Sequence, residues 1–87
     1  MKLGRVVATR GFVSFAEEHN IDALTIISRH LSHDWGDLDA EDKRLNDHAV
    51  KSGGRVLSAY KVTPDQKVWV ITEADRSVTT LLLPEEY

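Results

Sequence analysis

Residues 55–72 read RVLSAYKVTPDQKVWVIT and contain two apolar runs on either side of a proline turn. In the first run, Val56, Tyr60 and Val62 fall on one side of an extended chain, because successive side chains of a strand point to opposite faces. The segment TPDQ places proline at the second position of a turn, where its fixed φ is favoured. The stretch therefore predicts an antiparallel β-hairpin.

A third apolar run, VTTLLLP at 78–84, follows a second polar turn, EADRS. Three strands joined by short turns predict an antiparallel meander. The segment KLGRVVA at residues 2–8 fits either a short fourth strand or an extended arm. The number of strands therefore stays open between three and four.

One face of this meander should pack against helices and form the core. The favoured arrangement places on that face Trp69, Ile71 and Leu81. The reversed arrangement uses instead Val68, Val70, Val78 and Leu82. On so small a sheet, one set is expected to be half exposed, and an uncovered apolar face is typical of a dimer or partner interface.

The first half of the chain has the spacing and the capping residues of helices. Thr9 and Ser14 compete as the N-cap of a first helix, which Asn20 is suited to end. Asp22 is predicted to cap a second helix, and Asp39 is predicted to cap a third.

These patterns predict an α+β fold. About three short helices, within residues 10–52, should pack on one face of a small antiparallel sheet of three or four strands at about 55–84. A chain of 87 residues is one domain at most, so residues 1–87 are expected to form a single unit.

Composition excludes several classes of protein. The chain has no cysteine, so disulfides and thiolate metal sites are ruled out, and its net charge of -3 is unlike the basic balance of most nucleic-acid modules. No signal-peptide pattern and no apolar run of membrane-spanning length is present. We therefore expect a cytoplasmic protein with no membrane partner.

The segment HDWGDLDAED, residues 33–42, places five carboxylates around one tryptophan. Asp39, Glu41 and Asp42 suit the positive N-terminal end of a helix, but capping does not account for Asp34 or Asp37. Spaced carboxylates also imitate the phosphates of nucleic acid and would fit a basic groove on a protein that handles it.

Trp35 has two interpretations. It is either a core anchor beneath the loop or a partly exposed contact residue at the centre of the acidic surface. The candidate partner-binding residues are Asp34, Trp35, Asp37, Asp39, Glu41 and Asp42.

Two alternatives use other residues. A nucleic-acid-binding regulatory protein would use the basic residues Arg5, Arg10, Lys51, Arg55, Lys61 and Lys67. A metal-dependent hydrolase or nuclease would use the cluster His30, His33, Asp34 and Asp37. No P-loop, G-x-G-x-x-G or G-x-S-x-G motif accompanies either set.

The runs HDWGDLDAEDKRLND, GGRVLSAY and VWVITEADRSVTTLLLPEEY resemble a family of short, uncharacterised bacterial proteins carried on plasmids and integrated mobile elements. Members are often labelled plasmid-related or, wrongly, as a restriction-enzyme subunit. The resemblance covers about residues 20–87 and implies no catalytic residue or cofactor. It does imply an accessory role, such as blocking host restriction or CRISPR machinery.

The leading expectation is therefore a non-enzymatic binding protein that needs no cofactor. It would occupy a basic site on a protein partner through the acidic segment. A homodimer is a further expectation.

Overall fold

The computed structural model describes residues 1–87. In chain order it contains β1 (Arg5–Ala8), α1 (Arg10–His19), α2 (Ala23–Leu31), α3 (Ala40–Ser52), β2 (Val56–Thr63), β3 (Gln66–Thr72), β4 (Val78–Leu82) and a short 3-10 turn (Pro84–Glu86). Three helices and a four-stranded sheet make this a small α+β domain, as predicted. None of the helices combines the length and the apolar character needed to cross a bilayer.

The sheet has the strand order β1-β4-β3-β2. Strands β2, β3 and β4 form the predicted antiparallel meander, but β1 runs parallel to β4, so the sheet is mixed and not purely antiparallel. The Arg5 N–H donates to the Ser77 carbonyl, and the Thr9 N–H donates to the Leu81 carbonyl. The direction of β1 was not predictable, because β1 and β4 are not joined by a short turn that would fix their relative direction. Most of the chain lies between them.

Side-chain caps begin all three helices. Thr9 caps α1 by accepting a hydrogen bond from the Phe12 N–H at 3.2 Å, whereas Ser14 lies inside the helix. Asp22 and Asp39 cap α2 and α3, which confirms both predictions. Local sequence thus decides where each helix begins.

Helices α1 and α2 cover one face of the sheet. The main core joins them to the strands through Phe12, Ile26, Tyr60, Val68, Val70, Leu81 and Leu83. The favoured core set was wrong in part, because Leu81 pairs with Val70 in the register while Trp69 and Ile71 face away from the helices. The prediction had placed β4 one residue out of step with β3, and such a slip exchanges the two faces of a strand.

On the opposite face of the sheet, some apolar side chains are buried and others are partly exposed. Ile71 and Leu82 are only 3% and 5% exposed. Trp69 is partly exposed, and its ring meets that of Tyr87 edge to face at 5.7 Å between centroids. The expected half-exposed apolar set is therefore smaller than the sequence suggested.

Candidate functional site

The segment of residues 34–42, here called the acidic corner, lies along the outward edge of β2. The Ala59 N–H donates to the Trp35 carbonyl at 3.2 Å, and the Ala59 carbonyl accepts from the Asp37 N–H at 2.7 Å. The Asp37 carboxylate then accepts the Lys61 N–H at 2.6 Å. The backbone N–H and carbonyl groups on the edge of a sheet otherwise bind water or another chain. Here residues of the acidic corner provide their hydrogen-bond partners.

Asn46 and Gly36 complete the closure of this edge. The Asn46 side chain donates to the Leu57 carbonyl at 2.7 Å and accepts the Leu57 N–H at 3.2 Å. Gly36 has φ +76, and a Cβ there would overlap the Ala59 carbonyl oxygen. Only glycine lets the corner approach the strand so closely.

Trp35 is the core anchor of the acidic corner and is only 3% exposed. Its indole N–H donates to an Asp47 carboxylate oxygen at 2.9 Å, and its ring packs with Ala49 and Val56. The His33 ring stacks on it at 5.2 Å between centroids. The interpretation of Trp35 as the centre of a contact surface is therefore wrong, because the ring is sealed beneath the corner.

Asp34 is held in place by hydrogen bonds to both its side chain and its backbone. Its carboxylate pairs with Arg29 at 2.7 Å and accepts the Gly36 N–H at 3.1 Å, while its carbonyl accepts the Tyr60 hydroxyl at 2.7 Å. The hydrogen bond from the Arg29 guanidinium holds the pKa of the Asp34 carboxyl below its ordinary value. Asp34 therefore contributes less free charge to the surface than the sequence implied.

The other carboxylates of the corner are exposed and have no ion-pair partner. Asp39 caps α3 through a 2.8 Å hydrogen bond from the Asp42 N–H, and Glu41 and Asp42 lie in the first turn of that helix. The only salt bridges in the molecule are Arg29–Asp34 and Arg55–Glu73. The negative charge of Asp37, Asp39, Glu41 and Asp42 thus faces solvent.

An exposed leucine adjoins these carboxylates. Leu45 is 60% exposed and lines a shallow groove together with Leu38, Leu57, Asp42 and Arg55. Neither Leu45 nor Asn46 is among the residues predicted from the sequence to bind a partner. The position of Asn46 could have indicated its role, because it lies three residues before Ala49 and so shares the inward side of α3. A polar side chain on that side needs a hydrogen-bond partner.

The six basic candidates do not form one continuous patch. Arg5 and Arg10 lie at the β1 edge of the sheet, whereas Lys61 and Lys67 pair across β2 and β3. Arg55 lies 3.8 Å from Glu73, and Lys51 is in the last turn of α3. Arg5, Lys61 and Lys67 share the face of the sheet that points away from the helices, but the apolar side chains of Trp69, Ile71 and Leu82 separate Arg5 from the two lysines, so the predicted basic strand face is not continuous.

The four candidate metal ligands also do not form a site. His30 is fully buried, and its two ring nitrogens bond to Ser58 and Thr72. Asp34 pairs with Arg29, and no group of three or more His, Asp or Glu residues is placed to hold a metal ion. Both ring nitrogens of His30 are therefore occupied by hydrogen bonds, and neither is free to bind a metal ion.

The bonds of His30 continue into a buried polar chain. The Thr79 hydroxyl donates its one proton to the Leu3 carbonyl at 2.7 Å, so in its bond with the Thr72 hydroxyl it must be the acceptor. The Thr72 hydroxyl has then donated its own proton, so it accepts from the N–H at His30 Nε2, at 2.9 Å. His30 Nδ1 then accepts from the Ser58 hydroxyl, which fixes the neutral ring. Burial, with a smaller effect from His33, lowers the pKa of His30 to about 4.

Comparisons of the chain with protein-family models, with curated proteins and with solved structures find no significant match.

Replacing Gly36 by alanine should destabilise the protein by about 3 kcal/mol or more, because left-handed strain is added to an overlap with the Ala59 carbonyl. Gly53 is the matched control, since it has φ +90 but nothing within 4 Å of a built Cβ. Gly53→Ala should therefore cost only about 1–2 kcal/mol. Urea unfolding measures both, and equal losses would contradict the close approach of the corner to β2.

Stability should fall as the pH drops from 6.5 towards 4. The folded state holds His30 with a pKa of about 4, so the unfolded chain binds the proton first, and stability is fully present only above the unfolded pKa. The loss attributable to His30 should approach about 3 kcal/mol at pH 4. The check is the free energy of unfolding, measured by urea denaturation across this pH range. His30→Gln should make this free energy depend less on pH, whereas His48→Gln, a change at an exposed histidine, should leave the dependence as it is.

Proposed function

We propose that this chain is a non-enzymatic binding protein whose acidic corner occupies a positively charged site on a protein partner. The observation that carries the proposal is the exposure of Asp37, Asp39, Glu41 and Asp42 without internal cations. Charges left unpaired on a fixed backbone are available to a partner at little cost in conformational entropy.

The closure of the β2 edge supports this proposal. Hydrogen bonds with the Ala59 backbone hold the backbone on both sides of Gly36, and the Lys61 N–H donates to the Asp37 carboxylate. The buried Trp35 fixes the segment from below. The carboxylates therefore project from a rigid segment and need not be ordered on binding. Complementary charge of this kind speeds association and discriminates among partners.

Leu45, and not the buried Trp35, is the apolar residue within the proposed surface. It is exposed beside Asp42 and Leu57 and offers an apolar contact within the acidic surface. Interfaces commonly combine a small apolar centre with a charged rim. The proposed contact surface is thus Asp37, Asp39, Glu41 and Asp42 with Leu45.

The partner class follows from the charge of the surface. A site that accepts spaced carboxylates is typical of proteins that bind nucleic acid, so the chain would compete with that nucleic acid. The resemblance of residues 20–87 to mobile-element proteins supports cytoplasmic host defence machinery, including restriction and CRISPR complexes, as the partner. The divided basic residues and the occupied nitrogens of His30 do not favour the two alternative functions.

The double variant Glu41→Lys/Asp42→Lys should reduce partner capture from bacterial lysate at least about tenfold, since it reverses two exposed charges of the surface. These two residues are chosen because Asp37 and Asp39 also make structural hydrogen bonds. Affinity purification with quantitative mass spectrometry measures the capture, and circular dichroism confirms that the variant is folded.

The matched control is Glu18→Lys/Asp65→Lys, which makes the same change of charge at exposed positions outside the corner. It should retain the partner. Added duplex DNA or higher salt should release the partner from the unaltered chain. Equal capture by both double variants, or capture that DNA does not displace, would contradict the proposal.

A further inference from the structure

The outward edge of β1 is open, in contrast to that of β2. All four residues of β1 are exposed, and the strand lies at the end of the sheet. Arg5 and Thr9 direct their N–H groups to β4, so the alternation of a strand turns the N–H and carbonyl groups of Val6 and Ala8 outward. An open edge of this kind is a template for another strand.

The side chains of β1 divide between the two faces of the sheet. Val6 and Ala8 are in register with Thr79 and Leu81, which face the helices. Arg5 and Val7 are in register with Val78 and Thr80 and face the other way. Val6 remains 47% exposed although it lies on the apolar side.

An apolar groove adjoins β1 on the helix side. It has a volume of about 490 Å³ and is lined by Ala8, Phe12, Val13, Ala16, Ile21 and Ala23. Glu17 and Asp22 also line it, so side chains that enter should be apolar and not acidic. A strand added beside β1 would direct every second side chain to the helix side of the sheet, and the side chains beside Ala8 would reach this groove.

Three unpaired basic side chains lie at or beside the strand itself. Lys2, Arg5 and Arg10 are exposed, and none takes part in a salt bridge. A second copy paired at this edge would bring its own Lys2, Arg5 and Arg10 towards the same three cations, and gathering like charges at one interface is destabilising. The charge therefore favours an acidic strand over a second copy of this chain.

We propose that the open edge of β1 binds an extended segment of a partner protein in which apolar and acidic residues alternate. The segment adds a fifth strand through the outward groups of Val6 and Ala8. Its apolar side chains enter the groove, and its carboxylates face Arg5 on the other side. This mode combines backbone hydrogen bonds for affinity with alternate side chains for specificity. It is independent of the acidic corner, which lies at the opposite edge of the sheet.

The test uses a pool of peptides of about eight residues in which Val, Ile or Phe alternates with Glu, and a matched pool with Lys in place of Glu. NMR titration of the labelled full chain should show shifts at the amides of Val6 and Ala8 with the Glu pool alone. Absence of these shifts, or equal shifts with both pools, would overturn the proposal.

Two variants make the test specific. Val6→Pro removes an outward N–H while the ladder to β4 keeps its donors, and should weaken binding at least about tenfold. Arg5→Glu should weaken it by a similar factor, whereas Arg44→Glu, the same change on α3, should not. Undiminished binding by a folded Val6→Pro or by Arg5→Glu would refute this binding mode. A dimer in sedimentation that Val6→Pro dissociates would assign the edge to a second copy instead.

Discussion

The backbone N–H and carbonyl groups on the outward edge of β2 form hydrogen bonds with residues that precede β2 in the chain. The rest of the structure is arranged around this constraint. Asn46 pairs with Leu57, and the backbone on both sides of Gly36 pairs with Ala59. Because these bonds take the place of a neighbouring strand, the sheet ends at β2 without an exposed ladder. The same bonds seat Trp35 against the core and fix the direction of α3.

The carboxylates of the acidic corner are divided between structure and surface. Asp34 holds Arg29, and Asp37 and Asp39 accept backbone N–H groups, so all three help to fold the segment that carries them. Glu41 and Asp42 make no such side-chain bond and extend the negative charge into solvent. A single acidic run thus builds a rigid support and presents charge from it.

Local signals in the sequence predicted the helices, whereas long-range pairing was only partly predictable. Caps such as Asp22 and Asp39 act within one helical turn, so their residue types suffice. The parallel direction of β1 and the position of Leu81 beside Val70 depend on contacts between distant segments. The carboxylates of the acidic corner are exposed, as their residue type suggests. The burial of Trp35 was left open because an indole suits a core and an interface equally well.

The most direct test of this account is amide hydrogen exchange of the unaltered chain, measured by NMR for the two edge strands. The closed edge predicts that the amides of Leu57, Ala59 and Lys61 exchange at least about tenfold more slowly than those of Val6 and Ala8. Similar rates at both edges would contradict the account, since they would mean either that the acidic corner does not close β2 or that β1 is not open.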